Sequence, residues 1–287
     1  MGMDISLNSI RDVNPPTQGL YLYHDKEKCS GSSNLQAGDH LERIKSGIIG
    51  LDELIEGGFE KGTLIEISGS EGTFKTTFAL QFAAEGIRNG EKVTYISFEE
   101  PYDSIKQTAN GIGISEEFEK IEFKNMEIND IISALKSSIS FEGSEEMARK
   151  MVREVDSSDR LILDTATTLA LYSSGTVKKL IDERNFQFVT PSTSDMRIML
   201  FFLANELRKN LNCTTLLLAE AGIGELYIPE EILKYICDGK IALKKSTPGA
   251  KNPRSLVIEK MRHTNNSPDE QPMVLTKKGI KIGKAEQ

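Results

Sequence analysis

Short apolar runs, set apart by turn residues, recur along most of the chain. Thr63–Ser68, Lys92–Phe98, Arg160–Asp164 and Thr214–Ala219 are nearly unbroken apolar rows, the pattern of strands buried on both faces. Between them lie segments of helical spacing: Lys75 through about Arg88, 102–110, 144–156 and Asp195–Asn210. Phe78, Leu80, Gln81, Phe82 and Ala84 pack the first of these helices, and Asn89-Gly90 closes it. Upstream, Leu51, Leu54 and Ile55 also recur at helical spacing, with Gly57-Gly58 supplying a left-handed stop. Ile121–Phe123 reads as a short β segment. Strand and helix in alternation predict an α/β fold, a mostly parallel sheet with helices on both faces.

The last third changes character. Tyr227–Tyr235, Lys240–Lys244, Arg254–Met261, Pro272–Leu275 and Gly279–Ile282 read as short strands joined by turns, extending the sheet as an antiparallel meander. No long linker interrupts 42–287, which reads as one domain. Residues 1–41 lack periodicity and are punctuated by Pro15, Pro16, Gly19, Gly31, Ser32 and Ser33. They read as a flexible tail, or one loosely docked through Tyr21–Tyr23 and His24.

One stretch organises the rest. Thr63–Ser68 leads into a tight loop, Gly69-Ser70-Glu71-Gly72-Thr73-Phe74, and Lys75-Thr76-Thr77 opens the following helix. Strand, glycine loop, Lys-Thr and helix describe a phosphate-binding loop. Backbone N–H groups of 69–77 and the helix N-terminus suit phosphate oxygens. Lys75 adds a mobile charge for the β- and γ-phosphates, and Thr76 offers a hydroxyl ligand to Mg²⁺. Phe74 breaks the pattern: it stands where the motif has glycine, and puts a β-carbon where the backbone approaches phosphate closely.

Parallel sheets present their chemistry at the carboxyl ends of the strands, and three of those ends carry acids. Asp164 follows Leu161-Ile162-Leu163, as a Walker B aspartate would, positioned for the Mg²⁺ shell. Glu99-Glu100 follows Ile96-Ser97-Phe98; Glu99 reads as the base that polarises an attacking water and Glu100 as its helper. Glu220, after Thr214–Ala219, is a minor candidate for sensing the γ-phosphate. Lys260 and Arg262 alternate onto one face near the end of Arg254–Met261; they are either a solvated charge pair or cations that reach the γ-phosphate of a neighbouring subunit.

Composition narrows the partners. The chain of 287 residues carries a net charge of −8, which argues against broad coating of nucleic acid. No apolar run reaches bilayer-spanning length, and the polar stretch Met1–Leu20 is unlike a signal peptide. Cys29, Cys213 and Cys237 lack metal-ligand spacing and read as reduced thiols of a cytoplasmic protein.

Together these pieces resemble the KaiC-like ATPases of the RecA superfamily, of the single-domain archaeal KaiC/GvpD type. The resemblance covers about 42–287. It rests on Ser46-Gly-Ile-Ile-Gly-Leu-Asp-Glu-Leu-Ile-Glu-Gly-Gly-Phe59, the loop 69–77, Ser97-Phe-Glu-Glu-Pro101, Leu161-Ile-Leu-Asp164 and Lys260-Met-Arg-His-Thr264. It implies a three-layer RecA-like sandwich, ATP with Mg²⁺ at subunit interfaces, and homo-oligomeric rings, usually of six subunits. It assigns Lys75 and Thr76 to triphosphate and metal, Glu99 and Glu100 to water activation, Asp164 to the Walker B role, and Lys260 and Arg262 to trans-acting cations. Three functions are open at this point. The first is a ring-forming, ATP-hydrolysing regulator. The second is a recombinase paralogue binding single-stranded DNA through 173–194, where Lys178, Lys179, Arg184, Phe186 and Phe188 form a thin signature. The third is a nucleotide-gated scaffold with little turnover, for which Phe74 speaks.

Overall fold

The computed structural model describes residues 41–126, 157–168, 193–210, 213–221, 228–246 and 254–283, together with 148, 149, 152, 153 and 155. The expected tail 1–41 and the candidate DNA-binding stretch 173–194 lie almost wholly outside these residues. So does most of the expected 144–156 helix, of which 148, 149, 152 and 153 are helical.

A short pair, β1 (Arg43–Ile44) and β2 (Phe59–Glu60), precedes the main sheet. In chain order the main elements are β3 (Leu64–Gly69), α1 (Lys75–Arg88), β4 (Val93–Ser97), α2 (Tyr102–Gly111), α3 (Ser115–Phe118), β5 (Glu122–Asn125) and β6 (Arg160–Asp164). There follow α4 (Thr193–Asn210), β7 (Thr214–Glu220), α5 (Ile228–Ile236), β8 (Gly239–Lys245), β9 (Arg254–Met261), β10 (Gln271–Thr276) and β11 (Gly279–Ile282). Among the described residues the sheet has nine strands in the order β11-β10-β9-β8-β3-β7-β6-β4-β5. The six from β8 to β5 are mutually parallel. From β8 outward, β9, β10 and β11 pair antiparallel, which is the expected meander.

Strand alternation sorts the apolar rows into two layers. Ile65 and Ile67 of β3, Ile162 of β6, and Leu216 and Leu218 of β7 join Phe78, Phe82, Phe59 and Phe118 on one face. Leu64, Leu161, Leu163, Leu217 and Ala219 point the other way, onto Leu200, Leu203 and Leu207 of α4 and Leu233 of α5. Helices on both faces of a mixed sheet make a three-layer α/β sandwich, as expected.

Two expectations need correction. Tyr227–Tyr235 is not a strand: Ile228–Ile236 is a helix. Ile232, Leu233 and Ile236 return to one side at helical intervals, and Pro229 with Glu230 and Glu231 suits a first turn; a strand reading weighs the apolar content and misses that period. The segment around Leu51 is only a 3₁₀ turn, Asp52–Ile55, and its left-handed stop falls on Glu56 (φ 54°), one residue before Gly57.

The Ser46–Phe59 motif is a structural strap. Asp52 Oδ1 accepts the Ser46 N–H at 2.9 Å, and Ser46 Oγ accepts the Ile48 N–H at 3.1 Å. Gly47 has φ 74°, and a β-carbon there would meet the Gln81 carbonyl of α1 at 2.6 Å. Gln81 then ties three segments together: its Oε1 accepts the Ile280 N–H at 2.6 Å, while its Nε2 donates to the carbonyls of Ile280 and Gly47.

At the amino end of the sheet, the side chain of Arg160 is fully buried. It forks onto Glu91, donates from Nη1 to the carbonyls of Lys45 (2.8 Å) and Phe82 (2.9 Å), and stacks on the Phe82 ring at 4.4 Å. Removing one partner of a buried ion pair strands the other charge and its hydrogen-bond acceptors. Arg160→Ala is therefore expected to lower unfolding free energy by about 3–5 kcal/mol in urea titration; a loss below about 1 kcal/mol would show that the knot contributes little.

Candidate active site

Four adjacent parallel strands end on one edge, and each delivers a functional group. β3 runs into the loop 69–74 and α1; β7 ends at Glu220; β6 ends at Asp164; β4 ends at Ser97 just before Glu99 and Glu100. A cleft of about 850 Å³ opens there, lined by Glu71, Gly72, Phe74, Lys75, Thr76, Thr77, Glu99, Glu100, Asp164, Thr165 and Glu220. Thr108, Gly111, Ile112 and Leu275 complete its wall.

The loop is held by its own bonds. Thr73 Oγ1 donates to the Ser70 carbonyl at 2.7 Å. A β-carbon on Gly69 would lie 2.5 Å from that hydroxyl oxygen and 2.8 Å from the Leu243 carbonyl, so only glycine lets the strand pass. The first amides of α1 have no partner within the helix. Lys75 folds back over the loop: Nζ donates to the carbonyls of Gly69 (2.8 Å) and Ser70 (3.3 Å) and to Glu220 Oε1 (2.6 Å).

Phe74 takes the conformation that glycine would supply. It caps α1 at φ 74°, ψ 30°, in the left-handed region, and its carbonyl accepts the Phe78 N–H at 2.9 Å. That conformation costs an L-residue roughly 1–2 kcal/mol. The ring packs against the core beside α1, and the Arg254 guanidinium lies over it at 4.0 Å. A cation over an aromatic face is worth about 0.5–2 kcal/mol, of the same order as the strain it opposes.

The acids are fixed by neighbours. Asp164 Oδ2 accepts from Tyr95 Oη, and lies 3.4 Å from Thr76 Oγ1. Burial raises the Asp164 carboxyl from 3.8 to about 6; the Tyr95 hydrogen bond opposes the shift, while Glu99 and Glu100 add to it. Burial beside Asp164 pushes the Tyr95 phenol well up, so it remains a donor. Glu99 Oε1 accepts from the hydroxyls of Thr165 (2.8 Å) and Thr168. Glu100 Oε2 accepts from Ser104 Oγ at 2.5 Å, and Ser97 Oγ bridges the Glu100 backbone, donating to its carbonyl at 2.6 Å and accepting its N–H at 3.1 Å.

The structure thus gathers Gly69, Ser70, Glu71, Gly72, Thr73, Phe74, Lys75, Thr76, Thr77, Glu99, Glu100, Asp164 and Glu220 at one edge. Lys260 and Arg262 are elsewhere. They flank the start of β8, paired in register with the start of β3, at the opposite end of the sheet. There Lys260 Nζ donates to the carbonyls of Cys237 (2.5 Å) and Lys234 (3.0 Å), and Arg262 binds Asp238 at 2.9 Å. Sequence reasoning missed Tyr95, Thr165 and Thr168. A hydroxyl-rich Thr165-Ala-Thr167-Thr168 run directly after Asp164 was the available signal.

The donor set can be tested against Mg²⁺. A hydroxyl and a carboxylate close together are hard oxygens, and Mg²⁺ is held by one or two such groups plus substrate phosphates. Thr76 and Asp164 fit that role.

Sheet order, phosphate loop and acid-bearing strand ends define a RecA-type, ATP-binding α/β domain. The family described as "ATPase: KaiC" matches residues 44–287, and the chain belongs to it. A UPF0273 protein of Thermotoga maritima is 29% identical over 243 residues, covering 84% of this chain and 96% of the relative. A circadian clock protein, KaiC3 of Synechocystis, is 29% identical over 252 residues; the match spans 86% of this chain but 46% of that protein. The crystal structure of a KaiC-like protein from Pyrococcus horikoshii superposes with a TM-score of 0.62 at 27% identity, over 85% of this chain and 99% of that one.

Ionising Asp164 is costlier in the fold than in the unfolded chain. The cost is absent below pH about 4, grows as pH rises, and is complete above about 6. Asp164→Asn is therefore expected to stabilise the metal-free protein at pH 7 by on the order of 1–3 kcal/mol, the gain shrinking between pH 6 and 4. Urea unfolding across that range checks it. A variant less stable than the parent at pH 7, or a gain independent of pH, contradicts the burial cost.

Proposed function

We propose that this chain binds ATP with Mg²⁺ in the cleft and hydrolyses it slowly, as a regulatory ring-forming protein whose nucleotide lies between subunits. The observation that carries the reading is the convergence of Lys75, Thr76, Asp164 and Glu99 beside one phosphate loop. The Lys75 ammonium, now on two carbonyls and Glu220, is placed to turn onto the β- and γ-phosphates. Loop amides and the α1 terminus bind the remaining phosphate oxygens. Thr76 and Asp164 hold Mg²⁺, which when bound neutralises phosphate charge. Glu99, oriented by two threonine hydroxyls, accepts a proton from the attacking water, and Glu100, anchored on Ser104, is its helper. Lys260 and Arg262 sit too far along the sheet to serve their own cleft, which supports a role toward a nucleotide on another copy of the chain.

Cytoplasmic residence is part of the proposal. It is supported by Cys213 and Cys237, which are buried and free; among the described residues, no helix is long and apolar enough to cross a membrane. The scaffold reading keeps one specific support, Phe74, which holds a left-handed conformation at the position where the loop motif has glycine. The DNA-binding alternative has no described residue in its favour.

Turnover and binding separate the roles. Lys75→Ala is expected to weaken ATP binding about 10- to 100-fold, the loss of charge-assisted hydrogen bonds. The Glu99→Gln/Glu100→Gln double variant is expected to bind ATP but hydrolyse it about 10²–10⁴-fold more slowly. Phosphate release and equilibrium binding of labelled ATP measure the two. Parent-level hydrolysis in either variant overturns the assignment, and bound ATP recovered intact from the parent moves the protein to the scaffold reading.

A further inference from the structure

Arg254 opens β9, far along the chain from the phosphate loop, yet it touches that loop twice. Its Nε donates to the Gly72 carbonyl at 3.0 Å, across 182 positions of sequence. Its guanidinium stacks on the Phe74 ring at 4.0 Å. Gly72 and Phe74 are the two left-handed residues of the loop, at φ 76° and 74°. Glycine adopts that conformation freely and phenylalanine does not. The side chain whose β-carbon makes position 74 unfavourable therefore also carries the ring by which a neighbouring strand grips it.

Resting on the reading that this loop receives a triphosphate, we propose that Arg254 is a positioning residue that braces the phosphate loop through Gly72 and Phe74. Conformational freedom normally supplied by glycine is replaced by a tertiary contact. The planar fork is essential to it, since one edge must hydrogen-bond while the face stacks; an ammonium does not do both. A pure charge role would be less specific. The Lys245 ammonium also lies 3.9 Å from where a Gly72 side chain would begin, so loss of Arg254 leaves another cation beside the loop.

Two measurements test the brace. The first is amide hydrogen exchange of residues 71–75 in the nucleotide-free protein. Arg254→Ala and Arg254→Lys are both expected to speed it by about tenfold or more, because a local restraint on opening is lost; unchanged exchange overturns the proposal. Arg254→Lys decides if the alanine variant does not fold. The second is ATP affinity in a double-mutant cycle. Arg254→Ala should weaken binding about 3- to 30-fold in the parent but less than about 3-fold in the Phe74→Gly background, where no side chain remains to be stacked. An equal loss in both backgrounds, or full recovery with lysine, makes Arg254 a simple surface charge and overturns the brace. If the parent itself does not bind ATP, the functional reading fails, while the exchange experiment still decides whether the brace exists.

Discussion

The Lys75 ammonium sits between the carbonyls of Gly69 and Ser70 and the carboxylate of Glu220, and the rest of the cleft is arranged about that contact. Its surroundings are strongly acidic. Glu99, Glu100, Asp164 and Glu220 line the same cavity, and Lys75 is the cation among its described lining residues. Burial and mutual repulsion respond by raising Asp164 to about 6. Such a site is electrostatically incomplete in isolation. A divalent cation accompanied by phosphates would satisfy Asp164 and Thr76, and would free Lys75 from Glu220, in the reading proposed above.

Sheet geometry explains why these groups meet at all. Parallel strands place all their carboxyl ends on one edge, so four residues distant in sequence become neighbours without any local motif joining them. The second ring of contacts then fixes each acid: Tyr95 on Asp164, Thr165 and Thr168 on Glu99, Ser104 on Glu100. Lys260 and Arg262, at the far edge, are held by the carbonyls of Cys237 and Lys234 and by Asp238. One chain therefore carries the acidic cleft at one end of its sheet and Lys260 and Arg262 at the other, the separation on which the role between copies proposed above rests.

Much of this was legible in the residues. Buried parallel strands appear as continuous apolar rows, and β3, β4, β6 and β7 matched theirs to within about a residue or two, the usual uncertainty of element ends. The positions of the loop 69–77 and of the acids could be read because each is a local feature or ends a strand; their roles belong to the reading proposed above. The α5 helix was not, because a nine-residue apolar-rich segment fits either period unless its spacing is weighed. Nor was the tolerance of Phe74, which depends on Arg254, brought in by the meander from far along the chain. Local rules flag a phenylalanine at a glycine position as a defect; tertiary packing supplies the compensation.

The central claim is that Lys75, Thr76 and Asp164 jointly receive a metal–triphosphate. Calorimetric titration of the purified protein with ATP, with and without Mg²⁺, tests it most directly. Saturable binding, with one nucleotide per chain and affinity rising at least about tenfold with Mg²⁺, is the predicted result. Absence of binding at millimolar ATP with Mg²⁺ present, or binding indifferent to the ion, would contradict it.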